Sequence, residues 1–199
     1  MKIALIPCAR TEWLDEGRLL GRVELPPAPA ADAECEQWVK ELRGLGWQQI
    51  LHAPDELATH TARLLGRQLV VPTKVADALA EVDVGLWSGL TEEDLKSRYA
   101  SAHRELCEAP LNVNPPGGES LGDADARLKA FLKKHTRRDG PTALALVLRP
   151  LSFAMAWCTL EGRAPSDVWE RARQAQRPVI IEFPPGPAAR GRSRTPKAA

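Results

Sequence analysis

The sequence predicts an α/β protein, a three-layer α/β/α sandwich around a mainly parallel sheet. Three observations carry this. Residues 3–6 and 143–148 are apolar at nearly every position, the pattern of strands covered on both faces. Strand-like segments alternate along the chain with segments of helical period, as in a sheet built from crossover units. The 199 residues, 44% apolar and 27% charged, suffice for one stable core.

The elements follow in order. Residues 3–6 form the first strand, and Pro7-Cys8-Ala9-Arg10-Thr11 leaves its C-terminal end, where open α/β sheets bind ligands. Residues 14–22 read as a loop, with Gly17 and Gly21 adding freedom, and 25–29 as an extended Pro-rich lead-in. A helix is expected over 31–45, with Trp38, Leu42 and Leu45 on one stripe and Gly44 and Gly46 ending it. A short second strand covers 49–52. The next helix, 55–69, buries Leu57, Thr61, Leu64 and Leu65. The third strand is placed at 70–75. A loop over 79–87 carries Glu81, Asp83 and Gly85. Thr91 followed by Glu92, Glu93 and Asp94 starts a helix whose acidic first turn suits the helix dipole, reaching Tyr99 with more helix to Cys107. Residues 112–120 form a loop, and Ser120 or Asp123 caps a helix to His135. The strand at 143–148 stops at Arg149-Pro150, a helix covers 152–160, and the last strand covers 178–183. No element is assigned between 161 and 177. The domain is therefore 1–183. The segment 184–199, with Arg190, Arg192, Arg194 and Lys197, reads as a disordered basic Pro/Arg tail.

Composition excludes several classes of function. A net charge of +1 supports neither a nucleic-acid binder nor a binder of strongly acidic partners, and four tail cations bind polyanions weakly at physiological salt. No apolar run has the length of a membrane span. The absence of a signal-type N-terminus leads us to expect a cytoplasmic protein. Cys8, Cys35, Cys107 and Cys158 are widely spaced, without a C-x-x-C, so reduced thiols are expected and neither a metal nor a cofactor is implied. The six tryptophans are scattered and read as core or pocket-wall residues.

Several segments together resemble one family. Ile6-Pro7-Cys8-Ala9-Arg10-Thr11-Glu12-Trp13 is similar to the opening of the histidine phosphatase (phosphoglycerate mutase-like) superfamily, whose first strand ends in Arg-His-Gly-x-Thr-x-Trp. Gly21-Arg22-Val23-Glu24-Leu25-Pro26 resembles its Gly-Arg-x-Asp-x-Pro segment. Residues 81–91 resemble its Glu-x-x-x-Gly-x-Trp-Glu-Gly signature, and 115–120 its Pro-x-Gly-Gly-Glu-Ser loop. Leu148-Arg149-Pro150 stands where the family strand ends in Ser-His-Gly, and the step from Arg149 to Gly162 matches the length of the following helix. The resemblance covers residues 1–183 and implies a phosphoglycerate mutase-like fold.

What it implies for chemistry is different. The family uses a nucleophilic His, arginines around the phosphoryl oxygens and a carboxylic acid for the leaving group. On the matching positions, Cys8 stands for the phosphate-accepting His, Pro7 for the Arg beside it and Leu57 for a second Arg. Arg149 stands for the second His, and Leu14 for an Asn of mutase-type members. Only the acid persists, as Glu81. Losing one charge-assisted clamp costs about 2–4 kcal/mol of transition-state stabilisation. Losing the nucleophile as well implies an inactive pseudo-phosphatase with a binding, regulatory or structural role.

Two alternatives stay open at this point. One is an enzyme of altered chemistry using Cys8, Glu81 and Arg149 in the inherited phosphate cleft, with His52 or His60 replacing an imidazole. It would need the Cys8 thiol activated by Arg10, Arg149 or a helix N-terminus. The tyrosine-phosphatase precedent, an Arg six residues after the Cys, meets Leu14 instead. The other is a non-catalytic binder of phosphorylated ligands through Arg10, Glu81, Arg149 and His52. Arg149 could equally pair with Glu81 or Asp83. His103 and His135 read as surface helix residues. The expected partner is another protein or a phosphorylated small molecule, with a homodimer left open.

Overall fold

A strand whose every side chain is apolar has to lie in the middle of a covered sheet, and the two such segments of this chain do. The computed structural model describes residues 1–137 and 141–183, so the tail reading of 184–199 lies outside the described residues. Five strands, β1 (Lys2–Pro7), β2 (Gln49–His52), β3 (Thr73–Val75), β4 (Ala143–Leu148) and β5 (Val179–Glu182), are ordered β3-β2-β4-β1-β5. β1 and β4 run parallel at the centre, Lys2 opposite Ala143 and Pro7 opposite Leu148. β2 is parallel to both β4 and β3, and β5 lies antiparallel beside β1.

The helices are α1 (Glu12–Asp15), α2 (Ala31–Leu42), α3 (Glu56–Leu69), α4 (Glu92–Arg98), α5 (Ala100–Glu108), α6 (Leu121–His135), α7 (Pro150–Glu161) and α8 (Val168–Arg173). α3 packs on β2, β3 and β4 and holds α2. α7 packs on β1 and β4 and holds α6 and α8. The result is the expected mainly parallel sheet flanked by helices. Caps fix the helix starts. Thr91 and Asp94 form a reciprocal capping box on α4, and Ser120, not Asp123, caps α6.

Four expectations are corrected. The third strand is Thr73–Val75 and not 70–75, because Val70 closes α3 in the left-handed region (φ 57°) and the Val71 N–H bonds back to the Gly66 carbonyl. α2 ends at Leu42, three residues early, where Gly44 and Gly46 take positive φ. The loop over 14–22 begins inside α1, whose N-cap Thr11 accepts from the Leu14 N–H. This short helix shows only a Thr cap and an acidic first turn in sequence, too little periodicity to detect. The unassigned stretch after 161 carries α8, which buries Val168 and Trp169.

Candidate active site

The C-terminal ends of β1 and β4 meet at Cys8 and Arg149, so the topology brings together the positions singled out in sequence. The Cys8 N–H extends the ladder to the Leu148 carbonyl at 2.8 Å. The next N–H, of Ala9, donates to Thr61 Oγ1 at 2.7 Å, and that hydroxyl donates to the Leu57 carbonyl at 2.8 Å. The turn after β1 is thus held by a buried hydroxyl of α3. Cys8 is 2% exposed. Burial, then the Asp55 carboxylate, pushes its thiol far above the ordinary value, and Arg149 opposes this only in part. These are the surroundings of an inert thiol.

Arg149 is fully buried. It does not pair with Glu81 or Asp83, which corrects the sequence expectation. One terminal nitrogen donates to the Gly21 and Val23 carbonyls, both at 2.8 Å, and the other to Glu24 Oε2 at 3.4 Å. Its Nε lies 3.0 Å from Asp55 Oδ1, an ion pair not aligned along the N–H. Asp55 is also the N-cap of α3, accepting from the Ala58 N–H. The guanidinium therefore ties β4, the 21–24 segment and the start of α3 together. The signal was the Glu24 within the Gly-Arg-x-Glu segment, but no local pattern pairs residue 24 with residue 149.

Glu81 is 3% exposed and faces the first turn of α7. Its Oε2 accepts from the Leu151 N–H at 2.9 Å. Its Oε1 accepts from the Ser152 N–H at 2.9 Å and the Val82 N–H at 2.8 Å, with the Ser152 hydroxyl also 2.9 Å away. Burial raises the Glu81 pKa, and these donors pull against it. A helix start presents free N–H groups that suit anions. Here Pro150 has none, Leu151 and Ser152 donate to Glu81, and the Phe153 N–H donates to the Arg149 carbonyl. No donor of the first turn of α7 is left over.

The two Gly-rich signature segments hold Glu81 in place by direct backbone contact. The Glu119 N–H reaches the Asp83 carbonyl at 2.7 Å, and the Leu86 N–H reaches the Pro116 carbonyl at 2.9 Å. A Cβ on Gly118 would lie 2.3 Å from the Asp83 oxygen, and one on Gly85 2.3 Å from the Pro116 oxygen. Arg127 grips both oxygens of Glu119 and the Ala78 and Ala80 carbonyls, and Arg22 bridges Glu119 to the Glu81 carbonyl.

Beside these residues lies a cavity of about 400 Å³. Pro7, Cys8, Arg10, Glu81, Pro150 and Leu151 line it together with residues of α1, α4 and α8, the 16–21 segment, Trp38 of α2 and residues 175–176. Cys8, Arg10 and Glu81 thus share the cavity, whereas Arg149 and His52 are not on its wall. Arg10 is bound to Asp15, its Nε 2.7 Å from Oδ1. His52 faces its neighbour's carbonyl at Ala53, 2.8 Å away. His60 meets Asp32 at 2.6 Å, and His135 meets the Phe131 carbonyl. His103 is corrected from a surface residue: it packs edge-on against Trp169, with Glu92 2.9–3.1 Å away from it and from Arg173. None of the four histidines lines the cavity. Among the described residues no cluster of His, Cys, Asp or Glu is arranged to hold a metal ion, and no helix is long and apolar enough to cross a membrane.

The fold and this cleft at the ends of β1 and β4 define a phosphoglycerate mutase-like α/β protein. Residues 3–188 match the histidine phosphatase superfamily (branch 1), and the chain belongs to that family. Phosphoserine phosphatase 1 of Hydrogenobacter thermophilus is 25% identical over 85% of this chain and 80% of its own length. A 2,3-bisphosphoglycerate-dependent phosphoglycerate mutase of Mesorhizobium japonicum is 26% identical over 91% of each chain. Among solved structures, the alpha-ribazole phosphatase of Shigella flexneri superposes with a TM-score of 0.70 at 20% identity, over 85% of this chain and 84% of that one. A mycobacterial glucosyl-3-phosphoglycerate phosphatase superposes with a TM-score of 0.73 at 19% identity, over 84% and 85% of the two chains. At these identities the structures share the fold alone.

Proposed function

We propose that this protein keeps the histidine phosphatase fold without phosphoryl transfer and uses its cleft for binding, in a regulatory or structural role. The observation that carries this reading is where the donors of the cleft go. Every N–H of the first turn of α7 has a partner within the chain, and the Arg149 guanidinium is buried among its own partners. Phosphoryl transfer runs on positioned donors and a nucleophile. Here the donors meet Glu81, Glu24 and backbone carbonyls, and the side chain in the nucleophile's place is a buried, protonated thiol. The histidines support the same reading, since none lines the cavity and each is engaged by a group of the chain itself.

The test is hydrolysis of p-nitrophenyl phosphate by the purified protein from acid to neutral pH, beside Glu81→Gln as control. The expected result is no turnover above the control. Turnover that falls in Glu81→Gln would overturn the proposal and favour the altered enzyme, in which Cys8 and His52 are the next residues to replace.

A further inference from the structure

We propose that the cavity beside Cys8 takes an uncharged molecule, an apolar body bearing one acceptor oxygen that receives the indole N–H of Trp38, and neither a phosphate ester nor another ion. The inference rests on the non-catalytic reading of the cleft and gives its ligand class.

The first observation is that the charged groups of the wall are matched within the chain. Arg10 meets Asp15, its Nε 2.7 Å from Oδ1, and Arg18 meets Glu16 at 2.5 Å. Arg173 meets Glu92 at 2.9 Å, and Glu92 also takes Lys96 at 3.0 Å and His103 at 3.1 Å. Glu81 is held by backbone and hydroxyl donors. The Cys8 thiol, raised far above its ordinary value by burial, adds no charge at neutral pH. Beyond Glu81, only Glu93 lacks an opposite charge among the described residues, and it stands exposed to solvent. An anion entering here would have to take an arginine from its acid, and a cation an acid from its arginine. A charge buried without a new partner is unfavourable, whereas a neutral guest disturbs none of these pairs.

The second observation is a donor without an acceptor. Trp38 projects from α2, lines the cavity and is 3% exposed. The indole nitrogens of Trp87, Trp157 and Trp169 are closed off from solvent; that of Trp38 is not, and it has no acceptor among the described residues. The little of Trp38 that stays open therefore carries its N–H, and it opens on the cavity. A ligand oxygen meets the donor there, so that filling the cavity leaves no buried N–H unpaired. The rest of the lining suits the apolar body, with Leu14, Leu19, Leu20 and Leu151 beside Pro7 and Pro150. A cavity of about 400 Å³ is of the size that holds a small molecule.

The experiment is calorimetric titration of the full chain with four matched probes: N,N-dimethylbenzamide, which is neutral and only accepts hydrogen bonds, benzyldimethylamine, a cation at neutral pH, benzoate and phenyl phosphate. The Trp38 indole N–H signal, assigned in the wild type by through-bond correlation, is followed by NMR in the same titrations. Saturable binding is expected for the amide, unchanged by added salt, with the three ions at least about tenfold weaker. The Trp38 N–H signal should shift as the amide saturates, and Trp38→Phe should weaken the amide about threefold to tenfold. Failure of the amide to bind, an ion binding as tightly as the amide, or a Trp38 signal unmoved at saturation overturns the proposal. The NMR measurement needs only the wild type, so it decides the matter even where Trp38→Phe folds poorly. Release of phenol from phenyl phosphate refutes the non-catalytic reading, whereas an amide that fails to bind in a chain that releases no phenol refutes this inference alone.

Discussion

Replacing Arg149 by Met keeps its length and removes its charge, and the structure says what that costs. The guanidinium is fully buried. Its loss leaves the Gly21 and Val23 carbonyls without their 2.8 Å donor and Asp55 without the cation 3.0 Å away. Asp55 Oδ2 is already buried without a partner, so its charge would keep the Ala58 N–H at the start of α3 and lose its cation. Breaking a buried pair from one side costs about 3–5 kcal/mol. For a chain of this size that is a drop of about 6–20 °C in melting temperature. Urea unfolding of the wild type and Arg149→Met measures it. The second arm is Asp55→Asn, which retains the α3 cap through its amide oxygen. If the penalty is the stranded carboxylate, Arg149→Met should cost at least about 1.5 kcal/mol less in the Asp55→Asn background. A loss below about 1 kcal/mol in the single variant would refute the account of Arg149 as the tie between β4, the 21–24 segment and α3. Additivity of the two substitutions would refute the part assigned to Asp55.

Three other predictions follow from named environments. In the folded protein, a thiol reagent at neutral pH should modify the exposed Cys107 first and leave Cys8, Cys35 and Cys158 slow; rapid modification of Cys8, located by peptide mass mapping, would contradict its inertness. Burial pushes the Cys35 thiol up to about 12 and Cys158 to about 11, from an ordinary 9.0. Because the folded values lie above the unfolded one, the unfolded chain releases these protons first. Their stabilisation is complete below pH 9 and falls as the pH rises toward 11–12; alkaline unfolding curves should flatten in Cys35→Ala relative to the wild type, and an unchanged slope would contradict this. Gly118→Ala should destabilise the fold by about 1–3 kcal/mol, because its Cβ would meet backbone on the facing signature segment, whereas Gly44→Ala, with open space around it, should cost only the strain of its positive φ.

The sequence by itself determined the sheet and its centre. β1 and β4 are legible because a strand covered on both faces must be apolar at every position, and 3–6 and 143–148 are. It also determined the family-like frame and the presence of Cys at position 8 and Arg at position 149, since these are matters of residue identity. It did not determine which contacts these residues make. For Arg149 the sequence left an anion site and a pair with Glu81 or Asp83 equally open, and the side chain lies instead with Asp55, Glu24 and two carbonyls. Glu81 was expected as a leftover acid or an ion-pair partner, and it closes the N-terminus of α7. His103 was expected on the surface, and it packs against Trp169. The physical reason is common to all three. Backbone patterns are local and repeat with a period that a sequence displays. The partner of a buried charge or polar ring is chosen by desolvation among whatever groups the packed elements bring within about 3 Å. Residues 24, 55 and 149, or 81 and 151, become neighbours only once the crossovers are closed.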